Sequence, residues 1–366
     1  MQPFELVQIQ GLAGAQHHVS KDPIHRLFRA GGIDLLDRMK EGLDAPAQLV
    51  ELRRVVADDQ GSGDAETPGG ALTRTDINPE AGITVGALIT LNQLAEANLS
   101  AISRDFDAIA ALQEAAGQAA TPSIRNTATV GGNLLQRPRC WYFRNRELVC
   151  LKKGGDTCLA VSGDNRYHAI LGGGPSYIVH PSSLATPLTA LRAEVIISGR
   201  PSVGAEGVDD PFGERAPQRR QIPIGELFVS PTEDASREHR LADGEVLVGV
   251  FIPPAPSGTT SAYEAAREKQ SHDWPLAEAA VSLRVVDGKI SAPRVAIGHV
   301  APVPWHAGPA DDVLDGQRPS AELFERAAIA ATAPAKALAS NGYKIPLVQG
   351  LIRKALHRAA GVPLPA

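Results

Sequence analysis

Between Ile124 and Cys158 the chain reads IRNTATVGGNLLQRPRCWYFRNRELVCLKKGGDTC, and this stretch constrains the fold more than any other. It joins the glycine pair Gly131-Gly132 to all three cysteines of the protein. Paired glycines carry no Cβ, so their backbone N–H groups can face an anion at close range. A second pair, Gly31-Gly32, lies in IHRLFRAGGIDLLDRMKEG, read as a short strand, a tight turn and an amphipathic helix carrying Leu35, Leu36 and Met39. A strand, a Gly-Gly turn and a helix N-terminus together suit phosphate, because the first turn of a helix leaves N–H groups unpaired. Taken alone, an AGG turn before a helix is more often only a turn.

A chain of 366 residues suggests two domains, or one domain built in lobes. Hydrophobic residues make up 43% and charged residues 21%, enough to bury a sizeable core. A formal net charge of -5 gives no electrostatic reason to expect nucleic acid or an anionic membrane, and 4% aromatics leaves little for base stacking. No basic start with an apolar core opens the chain and no apolar run is long enough to span a bilayer, which reads as cytoplasmic. Export to the periplasm alongside a signal-bearing partner is the other route. An odd number of cysteines argues against a disulfide framework.

Further strands are expected at Gln48–Leu52, Ile83–Leu88, Ala193–Ser198 and Glu245–Ile252. Helices are expected over Leu91–Ala97, Phe106–Ala119 and Leu184–Leu191, in α/β alternation. Residues 58–82 and 199–221 read as polar loops. Ala277–Ile297 reads as a hairpin around Asp287-Gly288, followed by helices near Ala321–Leu338 and Pro346–Ala359. No strand-linked GxGxxG, GxxxxGK[ST], HExxH or GxSxG occurs, so Rossmann, P-loop and common hydrolase readings lose their support.

The cysteine spacing, Cys140-x9-Cys150-x7-Cys158, lacks the CxxC pairs of zinc ribbons and common ferredoxin clusters. It is compatible with an iron–sulfur cluster held by a wrapped loop, with a structural zinc site, or with a solvated basic loop. Arg137, Arg139, Arg144, Arg146, Lys152 and Lys153 surround the thiols in sequence, which would favour thiolates. Trp141 and Tyr142 read as packing, and His272 and Trp274 as loop structure.

The FRAGGIDLL and IRNTATVGGNLLQ segments, about a hundred residues apart, resemble the FAD-binding subunit of the molybdenum hydroxylases, the xanthine dehydrogenase and aldehyde oxidoreductase family. The resemblance runs from about Phe4 to Leu356 and includes ELFVSP and EVLVGVFIPP. RCWYFR, two further cysteines and HAILGGG resemble the subgroup whose flavin subunit carries an extra [4Fe–4S] cluster. The implied fold is α+β: a two-lobed, bipartite FAD-binding domain of the vanillyl-alcohol-oxidase (PCMH) type over 1–228, with lobes 1–57 and 58–228 and a cysteine loop at 137–176. A smaller α+β domain of hairpin strands and helices would follow over 229–366.

The same resemblance implies a set of site residues. Leu27, Phe28, Arg29, Ala30, Gly31, Gly32, Ile33, Asp34 and Leu35 would wrap the FAD pyrophosphate with backbone N–H groups. Thr129, Gly131, Gly132 and Asn133 would close the other side. Cys140, Cys150 and Cys158 would hold the cluster, with Ser176 where the subgroup has a fourth cysteine. That departure allows a serine or water ligand, a three-iron cluster or no cluster. Ile33 stands where the motif commonly has Thr or Ser, and Ser183 where a carboxylate expected to reach FAD often stands. Lys269 joins the cofactor set as a cation that would offset reduced flavin, although most lysines face solvent.

No catalytic acid or base is needed from this chain. The resemblance implies an FAD-containing electron-transfer subunit, partnered by a molybdenum-cofactor large subunit and a [2Fe–2S] small subunit, with the electron acceptor and the substrate left open. The alternatives are a self-contained flavin oxidase of the related bipartite fold and a non-catalytic metal- or cluster-binding assembly protein.

Overall fold

The computed structural model describes residues 1–55, 70–73, 75–78, 81–97, 106–199, 218–269 and 272–364. Three sheets organise them. The first is parallel, with β1 (Glu5–Val7), β2 (Arg26–Arg29) and β3 (Gln48–Glu51) in the order β1-β3-β2. Parallel neighbours need crossover helices, here Leu12–Ser20 and Ile33–Glu41. The first of these buries Leu12, Ala15, Gln16 and Val19, one face of a helix, against Val50, Leu52 and Val55. The second begins at Gly32 (φ 77°) and ends at Gly42 (φ 75°), where Leu43 N–H bonds the Arg38 carbonyl. Both caps demand the left-handed backbone that glycine adopts without strain.

The second sheet is antiparallel, in the order β4-β5-β8-β6-β7: β4 is Thr75–Asn78, β5 Gly82–Gly86, β6 Glu194–Gly199, β7 Gln218–Pro223 and β8 Val246–Ile252. It draws β8 from beyond residue 229. β4 falls inside a stretch read as a loop and β7 begins in one and runs two residues past it; their polar sequences, TDIN and QRRQIP, belong to edge strands that need bury little. The boundary between lobes expected at residue 57 lies outside the described residues.

The third sheet, β12-β11-β10-β9, is antiparallel, with β9 at Thr259–Ala266, β10 at Ala277–Val286, β11 at Lys289–Gly298 and β12 at Trp305–His306. Asp287 (φ 51°) and Gly288 (φ 73°) make the expected tight turn between β10 and β11. Alternation along β10 sends Ala279, Val281 and Leu283 to a core with helices Ala321–Thr332 and Lys344–Ala359, and Ala280 to the core beneath helix Ala185–Ala190. The first of those two helices stops at Thr332 rather than Leu338, just before Pro334, whose ring cannot continue it. Helix Gly308–Leu314 was not expected. No described helix is long and apolar enough to cross a membrane.

Candidate functional site

A cavity of about 550 Å³ lies where the first sheet, the second lobe and the start of the third sheet meet. Leu27, Phe28, Ala30, Gly31, Gly32, Ile33, Asp34 and Leu35 line one side, and Thr129, Gly131, Gly132, Asn133 and Ser183 the other. The two glycine turns therefore face one cavity although about a hundred residues separate them. Arg29 does not line it: its guanidinium pairs with Glu51. Lys269 is exposed and also outside the lining, whereas Arg267 lines it.

The two turns do different work. A helix cannot pair the N–H groups of its own first turn, so Ile33, Asp34 and Leu35 point theirs out of the helix end. A Cβ on Gly31 would overlap the Thr127 carbonyl, so this glycine lets the two segments touch. At the second turn the expected anion nest is not free. Gly131 N–H bonds the Ala87 carbonyl at 2.8 Å and Gly132 N–H bonds the Thr129 hydroxyl at 3.1 Å. Those glycines supply clearance: a Cβ on Gly131 would stand 3.0 Å from the Ala87 Cβ.

Asn133 sets the position of Ser183. Its Oδ1 accepts from the Ser182 hydroxyl at 2.7 Å and from Leu184 N–H at 3.3 Å, and Gln136 donates to the Pro181 carbonyl at 3.1 Å. His272 and Trp274, read as loop structure, line the cavity, and the Arg139 guanidinium lies 4.4 Å over the Trp274 ring. Arg38, Arg267 and Arg139 add cationic wall that no local pattern announces.

Asp34 sits at the helix start, where a phosphate would also be drawn. Burial pushes its carboxyl up, but Arg38, Arg139 and Arg144 outweigh that and hold it below the usual range. Its charge is thus spent on arginines rather than on the cavity.

The cysteine segment packs against this same helix. Its cations do not aim at the thiols as expected: Arg139 pairs with Asp34 at 3.0 Å and Asp37 at 2.9 Å, and Arg144 with Asp34 at 2.6 Å and Glu41 at 2.9 Å. Arg137 and Lys152 converge on buried Glu238 at 2.9 and 2.7 Å. The arginines and Lys152 clamp the loop to its neighbours. Burial raises the Cys140 thiol to about 11, against the lowering effect of Phe143 and Tyr142 N–H groups, and the charges of Cys150 and Cys158 raise it further. His168, not singled out from sequence, brings Nε2 to 3.2 Å from Cys140 Sγ, and Tyr177 N–H bonds Cys158 Sγ at 3.4 Å. Ser176 is buried beside that contact. Among the described residues, no three His, Cys, Asp or Glu side chains form a group that could hold a metal ion.

Glycine turns, cationic walls and a cavity spanning two lobes define a protein built to hold a phosphate-bearing cofactor. Residues 2–208 match the family described as the FAD binding domain in molybdopterin dehydrogenase, and residues 261–359 match the CO dehydrogenase flavoprotein C-terminal domain. The chain belongs to this family of flavoprotein subunits of molybdenum hydroxylases. It is 31% identical over 289 residues to the aldehyde oxidoreductase FAD-binding subunit PaoB of Escherichia coli, covering 78% of each chain. It is 36% identical over 148 residues to the nicotine 6-hydroxylase medium subunit of Paenarthrobacter nicotinovorans, covering 38% of this chain and 48% of that one. Its fold matches carbon monoxide dehydrogenase from Hydrogenophaga pseudoflava with a TM-score of 0.68 at 23% identity, covering 98% of both chains. It matches quinoline 2-oxidoreductase from Pseudomonas putida at 0.67 and 20%, again over 98% of both.

Proposed function

We propose that this chain is the FAD-containing electron-transfer subunit of a molybdenum hydroxylase complex of aldehyde or xanthine dehydrogenase type, passing electrons from iron–sulfur clusters through FAD to an external acceptor. The observation that carries the reading is the cavity walled by both glycine turns, with the unpaired N–H groups of Ile33, Asp34 and Leu35 on one side and the close-packed Gly131-Gly132 turn on the other. FAD supplies the chemistry of accepting single electrons and releasing a pair. The chain's own residues bind and orient: the helix start takes the pyrophosphate, Asn133 fixes the Ser183 wall, and Arg267 brings a cation to the far side.

The partners in this reading are a molybdenum-cofactor large subunit and a [2Fe–2S] small subunit, supported by relatives named as FAD-binding or medium subunits. Cys140, Cys150 and Cys158, with the fourth place at Ser176, are the candidate ligands of an additional [4Fe–4S] cluster. What supports it is the set of polar contacts to these sulfurs, His168 Nε2 at 3.2 Å from Cys140 Sγ and the Tyr177 N–H at 3.4 Å from Cys158 Sγ, contacts of the kind that tune cluster sulfurs. A cubane cluster also spreads its ligands further apart than a single ion does. Acid-released flavin and iron assays on the purified full-length chain test both parts. Absence of flavin overturns the assignment, while flavin without iron keeps the electron-transfer role and removes the cluster.

A further inference from the structure

A second, smaller cavity of about 120 Å³ lies where the second and third sheets meet, and it shares no lining residue with the larger one. Ile77 on β4, Ile83 on β5 and Ile252 on β8 come to it from the second sheet, and Ser282 and Arg284 on β10 and Ser291 on β11 from the third. Ile109 and Leu191 extend the apolar wall, and Arg192, just past helix Ala185–Ala190, adds a cation. Concave junctions of this kind are where small ligands commonly bind.

The backbone is bent to form it. Ser282 pairs with Arg294 and Arg284 with Ser291, so Ala292 and Pro293 together face the single residue Leu283. Such a β-bulge re-aims side chains and recurs beside functional sites. Ala292 takes φ 51° in the bulge and Arg192 takes φ 54°, a left-handed backbone that costs free energy in a residue carrying a Cβ. Both line the cavity. Arg192 Nη2 donates to the Pro293 carbonyl at 3.4 Å, which ties one strained residue to the bulge that holds the other.

Two guanidiniums line this cavity and, among the described residues, no carboxylate does. Arg284 lies two residues beyond Ser282 and so on the same face of β10. Its Nε is buried without a hydrogen-bond partner, and a buried donor left without an acceptor is costly. A guanidinium cannot relieve that cost by losing its proton. We propose that this cavity binds a small aliphatic carboxylate, held by Arg284 and Arg192 with its short hydrocarbon part against Ile77, Ile109 and Ile252. The planar fork of a guanidinium matches the two oxygens of a carboxylate. An engineered cavity of about 150 Å³ admits benzene, so one of about 120 Å³ suits an acid of about two to four carbons. Phosphate or sulfate would instead turn charged oxygens towards isoleucines and lose hydration without replacement.

The test is isothermal titration calorimetry of the full-length protein with acetate, propionate, butyrate and inorganic phosphate at matched ionic strength. Butyrate should bind saturably at one site per chain, with affinity rising about fourfold for each methylene added from acetate. Arg284→Gln should weaken butyrate at least about tenfold while far-ultraviolet circular dichroism stays as in wild type. If Arg284→Gln does not fold, Arg192→Asn decides the matter, because asparagine tolerates the left-handed backbone and removes the charge. No saturable binding of any of the three acids overturns the proposal. So does phosphate binding as tightly as butyrate, or butyrate affinity unchanged in the folded variant.

Discussion

Arg144 donates to Asp34 at 2.6 Å, so the cysteine segment is bolted to the first turn of the helix that would meet the cofactor's phosphates. Arg144 spans the helix, since its other nitrogen reaches Glu41 at 2.9 Å. Loop and cofactor grip are mechanically one unit. Arg144→Ala leaves Asp34 with Arg38 and Arg139, so the expected cost is about 2 kcal/mol rather than the larger loss of an isolated buried pair. A urea midpoint within error of wild type would show that the bolt bears no load.

Glu238 is the stronger case, because two cations depend on it. Lys152 is almost wholly buried and has Glu238 at 2.7 Å, while Arg137 has it at 2.9 Å. Glu238→Gln leaves a buried ammonium without its counter-charge and should destabilise the chain by about 3–5 kcal/mol. Double substitution with Lys152→Met should recover much of that loss, which denaturation curves of the three variants will show.

Gly132 lines the cavity with Thr129 Oγ1 only 3.0 Å from where its Cβ would stand. A bulky side chain there must project into the cofactor space. Gly132→Leu should lower the flavin-to-protein ratio at least tenfold while the far-ultraviolet circular dichroism stays the same. Unchanged flavin content would mean that the cofactor does not pass this turn.

Stability should fall in mild acid. Burial holds His180 at about 3 and His168 and His239 at about 4, against 6.5 for a free imidazole. Above 6.5 folded and unfolded states both carry neutral rings, so these groups contribute no slope. Below it the unfolded chain takes up protons that the folded chain refuses, and stability drops as pH falls towards about 4. Glu278 works against this between 4.5 and about 7, because there the folded state holds a proton that the unfolded state has lost. One carboxyl does not offset three imidazoles. His180→Phe, beside Phe228, should flatten the acid slope by up to about 1.4 kcal/mol per pH unit. Urea titrations at several pH values measure it, and parallel slopes would refute it.

Ser176 sits next to Tyr177, whose N–H meets Cys158 Sγ. Ser176→Cys should therefore raise iron and sulfide retained after reconstitution, and Cys150→Ala should lower it. Equal iron in all three proteins, or none in any, would remove the cluster from this chain.

The Gly31-Gly32 turn was legible from sequence because it depends on local backbone. Gly32 and Gly42 adopt positive φ, and Asp287-Gly288 closes a tight hairpin, so the residue types announce the geometry. The side of the cavity formed by Leu27 to Leu35 was implied by the family resemblance, and those residues line the cavity apart from Arg29, which pairs with Glu51. The anion nest at Gly131-Gly132 was misjudged because the partner of Gly131 is Ala87, on a strand end forty residues earlier.

What the sequence by itself determined is where the chain turns, caps and alternates, since those choices are made within a few neighbouring residues. Tertiary structure alone decided where the charges went. The arginines around the cysteines found Asp34, Asp37, Glu41 and Glu238 instead of thiols, Arg267 took the place expected of Lys269, and Glu278 was buried opposite Gly298. A long charged side chain has no preference for a partner until packing sets which carboxylate is close and how little water remains between them.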